Sequence, residues 1–421
     1  MHRPFLVALA VVAGLAPAAQ ARSVEVFSPD GSIARVDLEL PASAPLAPAE
    51  AAALEASAVT PIQQAGRSSN RLDIVFLGDG YTADEQELFH EHARAKWLAI
   101  RDTEPFKEYA QYFNVWMVDV VSPESGVDND PRPPTMRDTA LDMGFYCQGT
   151  ERALCVDEAK ALAAAEAAPA ADQIVVLANS TKYGGVGGTV ATSSGGSAAA
   201  SLITVHELGH SLGGLADEYD YYYRAGVSED STQDVTIPLP YLVYPEPALG
   251  EPDGPNITAA GTAEELLTGE LKWWRWVGEE SPDGGPVGAY EGAGYYRYGL
   301  YRPTQDSLMH TLGILDGGNE FNSPSSEQLV MQFYEKLDPI DAVTRTASAL
   351  RVRPLEPATH PLDIRWSLDG VEQTALRGST TFPLDESVHG TVTVTVYDAT
   401  AFVRDPEFQA KDLTQSRSWT V

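Results

Sequence analysis

Only two cysteines, Cys147 and Cys155, occur in 421 residues. Zinc-binding cysteines usually come as C-x₂₋₄-C pairs, so this wider spacing argues against a thiolate metal site. In an exported chain, an even pair so close together points to one small disulfide. Basic residues are also scarce. Lys and Arg number 28 against 60 Asp and Glu, for a formal charge of −32. No basic stripe is available to displace counterions from phosphates, so nucleic acid is excluded as a partner. An anionic membrane surface is excluded on the same ground, and the charge suits solubility outside the cell or in a periplasm. Beyond the N-terminus, no stretch of 18 consecutive apolar residues occurs, so no membrane span is expected. The glycines of 184–188 are not followed by G-K-[ST], which excludes a phosphate-binding P-loop.

The N-terminus reads as an export signal. Arg3 supplies the positive start, Phe5 to Leu15 a short apolar stretch, and Ala19 to Ala21 an A-x-A cleavage site. Cleavage is expected after Ala21, which makes residues 1–21 a signal peptide and the mature protein secreted or periplasmic.

Histidine is rare too, with eight in the chain, yet two of them fall in the H-E-x-x-H run His206–His210. At this composition, chance supplies roughly 0.01 such matches. On a helix, His206 and His210 at i and i+4 share one face and can both reach one Zn²⁺. Glu207 lies about 100° round the helix, where it can take a proton from a water at that ion. The preceding residues, with Ser197 as N-cap after Gly195 and Gly196, open the helix. Gly213 and Gly214 end it, because glycine takes the left-handed conformation at little cost. The chain can then return a third ligand. In the H-E-x-x-H-x-x-G-x-x-H pattern that ligand falls ten residues after the first histidine. Ala216 stands there and cannot bind metal. Asp217 is one step on, with Glu218 as the alternative. Two histidines and a carboxylate leave the fourth zinc position open. About 100 residues later, Met309 in Ser307–His310 suggests a methionine turn beneath the metal. His310 is expected at the rim, since a fourth protein ligand would close the site.

The organisation around this motif is mixed. Val24–Phe27 and Ala34–Leu40 alternate like strands around Asp30 and Gly31, and residues 41–68 read as linker or short helix. Strands are expected at Leu72–Leu77, Phe113–Val121 and Gln173–Ala178. Helices are expected from the Thr82/Glu85 capping box to about Arg101 and over Ala153–Ala167. This alternation predicts a largely parallel sheet with helical layers. His90 and His92, at i and i+2, point to different sides and are read as surface residues. The glycines of 184–188 read as a mobile loop leading to an edge strand, Thr189–Thr192, on which a peptide can add by backbone hydrogen bonds. Asp128, Asn129 and Asp130 offer three oxygens toward Ca²⁺, short of the six it takes, so a polar turn competes with that reading. The aromatic stretch 221–300 is assigned to the cleft wall, and Tyr295, Tyr298 and Tyr301 are candidate donors to a transition-state oxyanion. From about Ala342, short alternating strands suggest an immunoglobulin-like sandwich.

Leu72–Tyr81, Phe113–Val118, Ser125–Asp128, His206–Tyr219, Val287–Ala293, Tyr301–Pro303 and Ser307–Met309 together resemble the IgA-specific metallopeptidases, secreted zinc peptidases of metzincin type. The resemblance covers roughly residues 70–335. It implies zinc on His206 and His210, Glu207 as base and an acidic third ligand just downstream. It does not imply that immunoglobulin is the substrate. The segment before the catalytic region is shorter than in relatives with a full β-sandwich there. The expected fold is therefore an α/β metzincin-like zinc peptidase domain at 69–340, with a hairpin and linker at 22–68. An all-β immunoglobulin-like sandwich follows at 341–421. The expected activity is a zinc metalloendopeptidase acting on protein or peptide. The competing readings are a zinc amidase acting on peptidoglycan and a non-catalytic adhesion protein.

Overall fold

The structure is a computed structural model that describes residues 20–27, 33–40, 45–187, 190–198, 200–220, 223–224, 250–312 and 318–421. Most of the signal-peptide reading and the Asp30–Gly31 turn lie outside these residues. The chain opens with β1 (Gln20–Phe27) and β2 (Ile33–Leu40), paired antiparallel from Gln20↔Leu40 to Phe27↔Ile33. Of the segment 41–68, expected as linker or short helix, the described residues 45–68 carry a short helix and a strand besides. They include α1 (Pro48–Glu55) and β3 (Ala58–Gln64), which joins the main sheet.

The rest of that sheet and its helices follow as β4 (Leu72–Asp79), α2 (Gln86–Asp102), β5 (Phe113–Asp119), α3 (Glu158–Ala165) and β6 (Gln173–Ala178). Next come β7 (Gly185–Val186), β8 (Val190–Ser194) and α4 (Ala200–Gly213), which carries the H-E-x-x-H run. The six strands lie in the order β3-β5-β4-β6-β8-β7. The four inner strands pair parallel, while β3 and β7 are antiparallel edges. The expected edge strand thus shifts. β8 is an inner strand, and the edge is formed by the glycine stretch itself, whose missing side chains let it fold back on β8.

β4 is buried along its whole length because both faces of the sheet are covered. Ile74 and Phe76 pack with Phe89 and Trp97 of α2 and Leu208 of α4. Val75 and Leu77, one residue out of phase, pack with Ala161 and Ala164 of α3. The polar exception, Asp73, accepts hydrogen bonds from Ser68, Asn114 and Trp116 at 3.0, 3.1 and 2.6 Å. At the strand's end, Asp79 is held by the Thr139 and Ser122 hydroxyls and the Leu141 and Met143 amides, so the 122–143 loop is anchored to the sheet.

Past α4 come β9 (Tyr223–Arg224), parallel to β2, then α5 (Ala263–Gly269) and the hairpin of β10 (Tyr290–Ala293) and β11 (Tyr296–Arg302). The aromatic stretch between them buries Trp273, Trp276 and Val287 in a cluster of their own. Helix α6 (Ser323–Lys336), capped by the Asn322 side chain, packs beside α4.

The C-terminal strands are β12 (Ile340–Arg345), β13 (Ala349–Pro354), β14 (Asp363–Leu368), β15 (Val371–Glu372), β16 (Thr381–Pro383) and β17 (Thr391–Tyr397). Helix α7 (Pro406–Lys411) and β18 (Thr414–Thr420) end the chain. They form two antiparallel sheets, β12-β13-β16 and β15-β14-β17-β18, which share one apolar cluster around Trp366. Among the described residues, no helix is long and apolar enough to cross a membrane.

Candidate metal centre

Helix α4 is buried on nearly all sides, through Ile203, Val205, Leu208 and Leu212, because it lies between the sheet and α6. It ends at Gly214, whose φ of +61° is the left-handed conformation, and the Gly214 amide donates to the His210 carbonyl at 2.9 Å. The chain reverses there. Residues 217–219 then run back past the helix, pinned on both sides. The Glu218 amide donates to the Met309 carbonyl, while the amides of Gly294 and Tyr295 donate to the carbonyls of Asp217 and Tyr219.

This return brings three side chains together. His206 Nε2 lies 3.0 Å from His210 Nε2 and 3.1 Å from Asp217 Oδ1, and His210 Nε2 lies 3.3 Å from the same oxygen. Among the described residues, this is the group of His, Cys, Asp and Glu whose ligand atoms converge closely enough to hold a metal ion. A tetrahedral ion with bonds of about 2.0–2.1 Å needs ligand atoms about 3.3 Å apart, which these edges approach.

The proton positions support a cation at the centre. His206 Nδ1 faces the Leu308 carbonyl at 3.0 Å and His210 Nδ1 faces the Leu215 carbonyl at 2.6 Å. A carbonyl only accepts, so each Nδ1 donates, and in the neutral rings each Nε2 lone pair points at the other and at a carboxylate. Three acceptors at such distances repel one another unless a proton or a metal ion sits among them. The donor set of two imidazoles and a carboxylate is one that zinc takes. Burial opposes the charged form of Asp217, but His210 and His206, where they carry an extra proton, outweigh it and hold the carboxyl below the ordinary range.

Glu207 is buried beside this group, under the edge strand. At Gly187, just after β7, a Cβ would fall 1.6 Å from Glu207 Oε2, so a side chain there would have to displace that carboxylate. Met309 is fully buried below α4, and a Cβ on Gly209 would meet its sulfur at 2.8 Å. Of the three tyrosines, Tyr295 reaches the centre, with its hydroxyl 2.5 Å from Asp217 Oδ2. Tyr298 is half exposed, and Tyr301 reaches toward Glu291.

The other expected residues fall elsewhere. Glu218 turns away from the three-residue group into a buried pocket of donors, and burial pushes its carboxyl up against them. His310 pairs with Asp306 at 3.1 Å. His90 and His92 are not surface residues, because each is half-buried against a partner. His90 meets Asp119 at 2.6 Å and His92 meets the Tyr81 hydroxyl at 2.8 Å. Asp128 accepts from the Arg137 amide and Asn129 donates to the Phe145 carbonyl, which are the roles of a polar turn. Cys147 and Cys155 form the expected disulfide.

A family model described as IgA Peptidase M64 matches residues 60–286, more than half of the chain. A search of curated proteins found no match.

Proposed function

This chain belongs to the IgA peptidase M64 family and is a metallopeptidase, and we propose that it is a secreted, zinc-dependent endopeptidase of metzincin type. The observation that carries the reading is the triangle of His206 Nε2, His210 Nε2 and Asp217 Oδ1, with Glu207 on the same helix. His206, His210 and Asp217 hold the ion. When bound, zinc supplies Lewis acidity toward a water and toward a scissile carbonyl. Glu207 accepts the proton of the attacking water at its carboxylate and delivers it to the leaving amine nitrogen. Tyr295 stands where its hydroxyl can leave Asp217 and donate to the carbonyl oxygen as negative charge develops there. Met309 forms the floor under the helix. The antiparallel edge β7 offers backbone groups to an extended peptide. The two C-terminal sheets are read as an immunoglobulin-like sandwich, and export rests on the charge and apolar pattern of residues 1–21.

The test uses the full chain without residues 1–21. It should hold one zinc per molecule and cut members of a panel of denatured proteins while leaving purified peptidoglycan intact. Glu207→Gln should keep the zinc and lose turnover by about 10²- to 10⁴-fold. Retained turnover in that variant, or full activity in the presence of a strong chelator, rules the mechanism out.

A further inference from the structure

We propose that Glu218 is a positioning residue whose buried carboxylate clamps the Ser307–Met309 turn and thereby sets the orientation of His206; this rests on the zinc reading above. Glu218 is fully buried. Its Oε2 accepts from the Ser307 hydroxyl at 2.6 Å and from Asn322 Nδ2 at 3.1 Å. Its Oε1 accepts from Asn322 Nδ2 at 2.8 Å and from Asn256 Nδ2 at 2.9 Å, with the Ser325 hydroxyl at 3.5 Å. All of these donors are neutral.

The consequence for the metal centre lies one residue from Ser307. The Leu308 carbonyl receives the Nδ1 proton of His206, which fixes the tautomer and points Nε2 at the centre. The Ser307 hydroxyl also accepts the Met309 amide at 3.1 Å, so a single side chain ties the turn together. Glu218 therefore sets where the Leu308 carbonyl stands. The second arm is Asn256, which grips Ala216 through its amide and carbonyl at 2.7 and 2.8 Å, just before Asp217. One carboxylate thus braces the backbone on both sides of the ligand group.

The geometry suits an acceptor at each oxygen. Donors arrive at both oxygens, and a carboxylate only accepts. A glutamine has the same shape, but its NH₂ would face either the Asn322 and Asn256 amides or the Ser307 hydroxyl. In the first arrangement donors face donors; in the second the Ser307 hydroxyl must turn to accept and Asn322 Nδ2, 3.1 Å from that position, faces a donor, so the contacts to the turn must rearrange.

The test compares wild type with Glu218→Gln and Ser307→Ala in the full chain. Zinc affinity is measured by chelator competition and the ligand field by the visible spectrum of the cobalt-substituted protein. Outer partners of a metal-bound histidine typically change metal affinity by about 10- to 100-fold. A loss of that size is expected for Glu218→Gln, with displaced cobalt bands. Ser307→Ala, which leaves the carboxylate its amide donors, should move both readouts the same way by less. Wild-type affinity and an unchanged cobalt spectrum in Glu218→Gln overturn the proposal, even if that variant melts earlier. If Glu218→Gln does not fold, unchanged values in Ser307→Ala overturn it. A wild-type chain that binds no zinc overturns the metal reading and this inference with it.

Discussion

Tyr295 is held by its surroundings in an unusual backbone state. Its φ is +70°, a region costly for a bulky residue and often found at functional sites. Its ring meets Tyr219 edge-on at 5.3 Å, which fixes the hydroxyl over Asp217. Removing the hydroxyl leaves the ring packing intact. Tyr295→Phe should therefore keep its zinc and lose kcat by about 10²-fold, the cost of one oxyanion donor; an unchanged kcat would remove Tyr295 from the chemistry. Lys96 makes a different residue-scale case. It is buried, donates to the Ser197 carbonyl and the Ser201 hydroxyl, and burial pulls its ammonium down to about 7. The unfolded side chain titrates near 10.4. Between these values the unfolded chain binds more protons, so this group makes stability rise with pH across that window. Below pH 7 the full penalty applies, on the order of 5 kcal/mol at 1.36 kcal/mol per unit. Lys96→Met should raise the melting temperature most below pH 7 and least near pH 10.5. A gain independent of pH would show that the charge is not its source.

At the scale of elements, the edge above Glu207 is where local sequence said least. The Gly-rich run was legible as a loop beside an edge strand, but not as the edge itself, nor was its nearness to Glu207, because the two are 20 residues apart in sequence and meet only through the β7–β8 reversal and α4. Gly187→Ala tests that contact. Its methyl group would occupy the space of Glu207 Oε2, so the carboxylate or the strand must move. We expect kcat to fall at least about 10-fold while zinc content and melting temperature hold, since a shift of about 1 Å at a reacting group can cost 10²-fold. Normal turnover in this variant would mean that Glu207 does not need its present position. Helix α4 and its glycine stop were readable because H-E-x-x-H spacing and a left-handed terminus are local properties. So was the choice of acids just after the turn. Which of the two acids faces the histidines depends on Asn256, Ser307 and Asn322, up to 104 residues away, and no short-range pattern carries that. Strand β3 was missed for the same reason. Its burial is only partial, and it is defined by pairing with β5 rather than by its own alternation.

At the scale of the whole molecule, the question is whether the C-terminal sheets form a separate module. They have a core of their own around Trp366, yet Leu355, Val403 and Leu413 are buried in the same cluster as Phe333, Tyr109 and Tyr112 of the peptidase part. Polar groups join the two parts as well. Asp398, just past β17, accepts from the Tyr334 and Tyr109 hydroxyls at 2.6 and 3.0 Å. His360 bridges the parts, 2.6 Å from Asp398 and 2.8 Å from Glu108, while the Tyr112 hydroxyl donates to the Leu355 carbonyl. Buried hydrogen bonds to a charged acceptor are worth about 1.5–3 kcal/mol each. With several of these and a shared apolar layer, neither part should survive the other's unfolding. The full chain should melt in one transition, and Asp398→Asn should lower its midpoint by several degrees without splitting it, as read by calorimetry. A chain ending near residue 340 should then be insoluble or unfolded, because Phe333 and Tyr334 would face water. If Asp398→Asn instead melts in two steps, with the peptidase part keeping the wild-type midpoint, the C-terminal sheets are an independent appendage and this coupling does not exist.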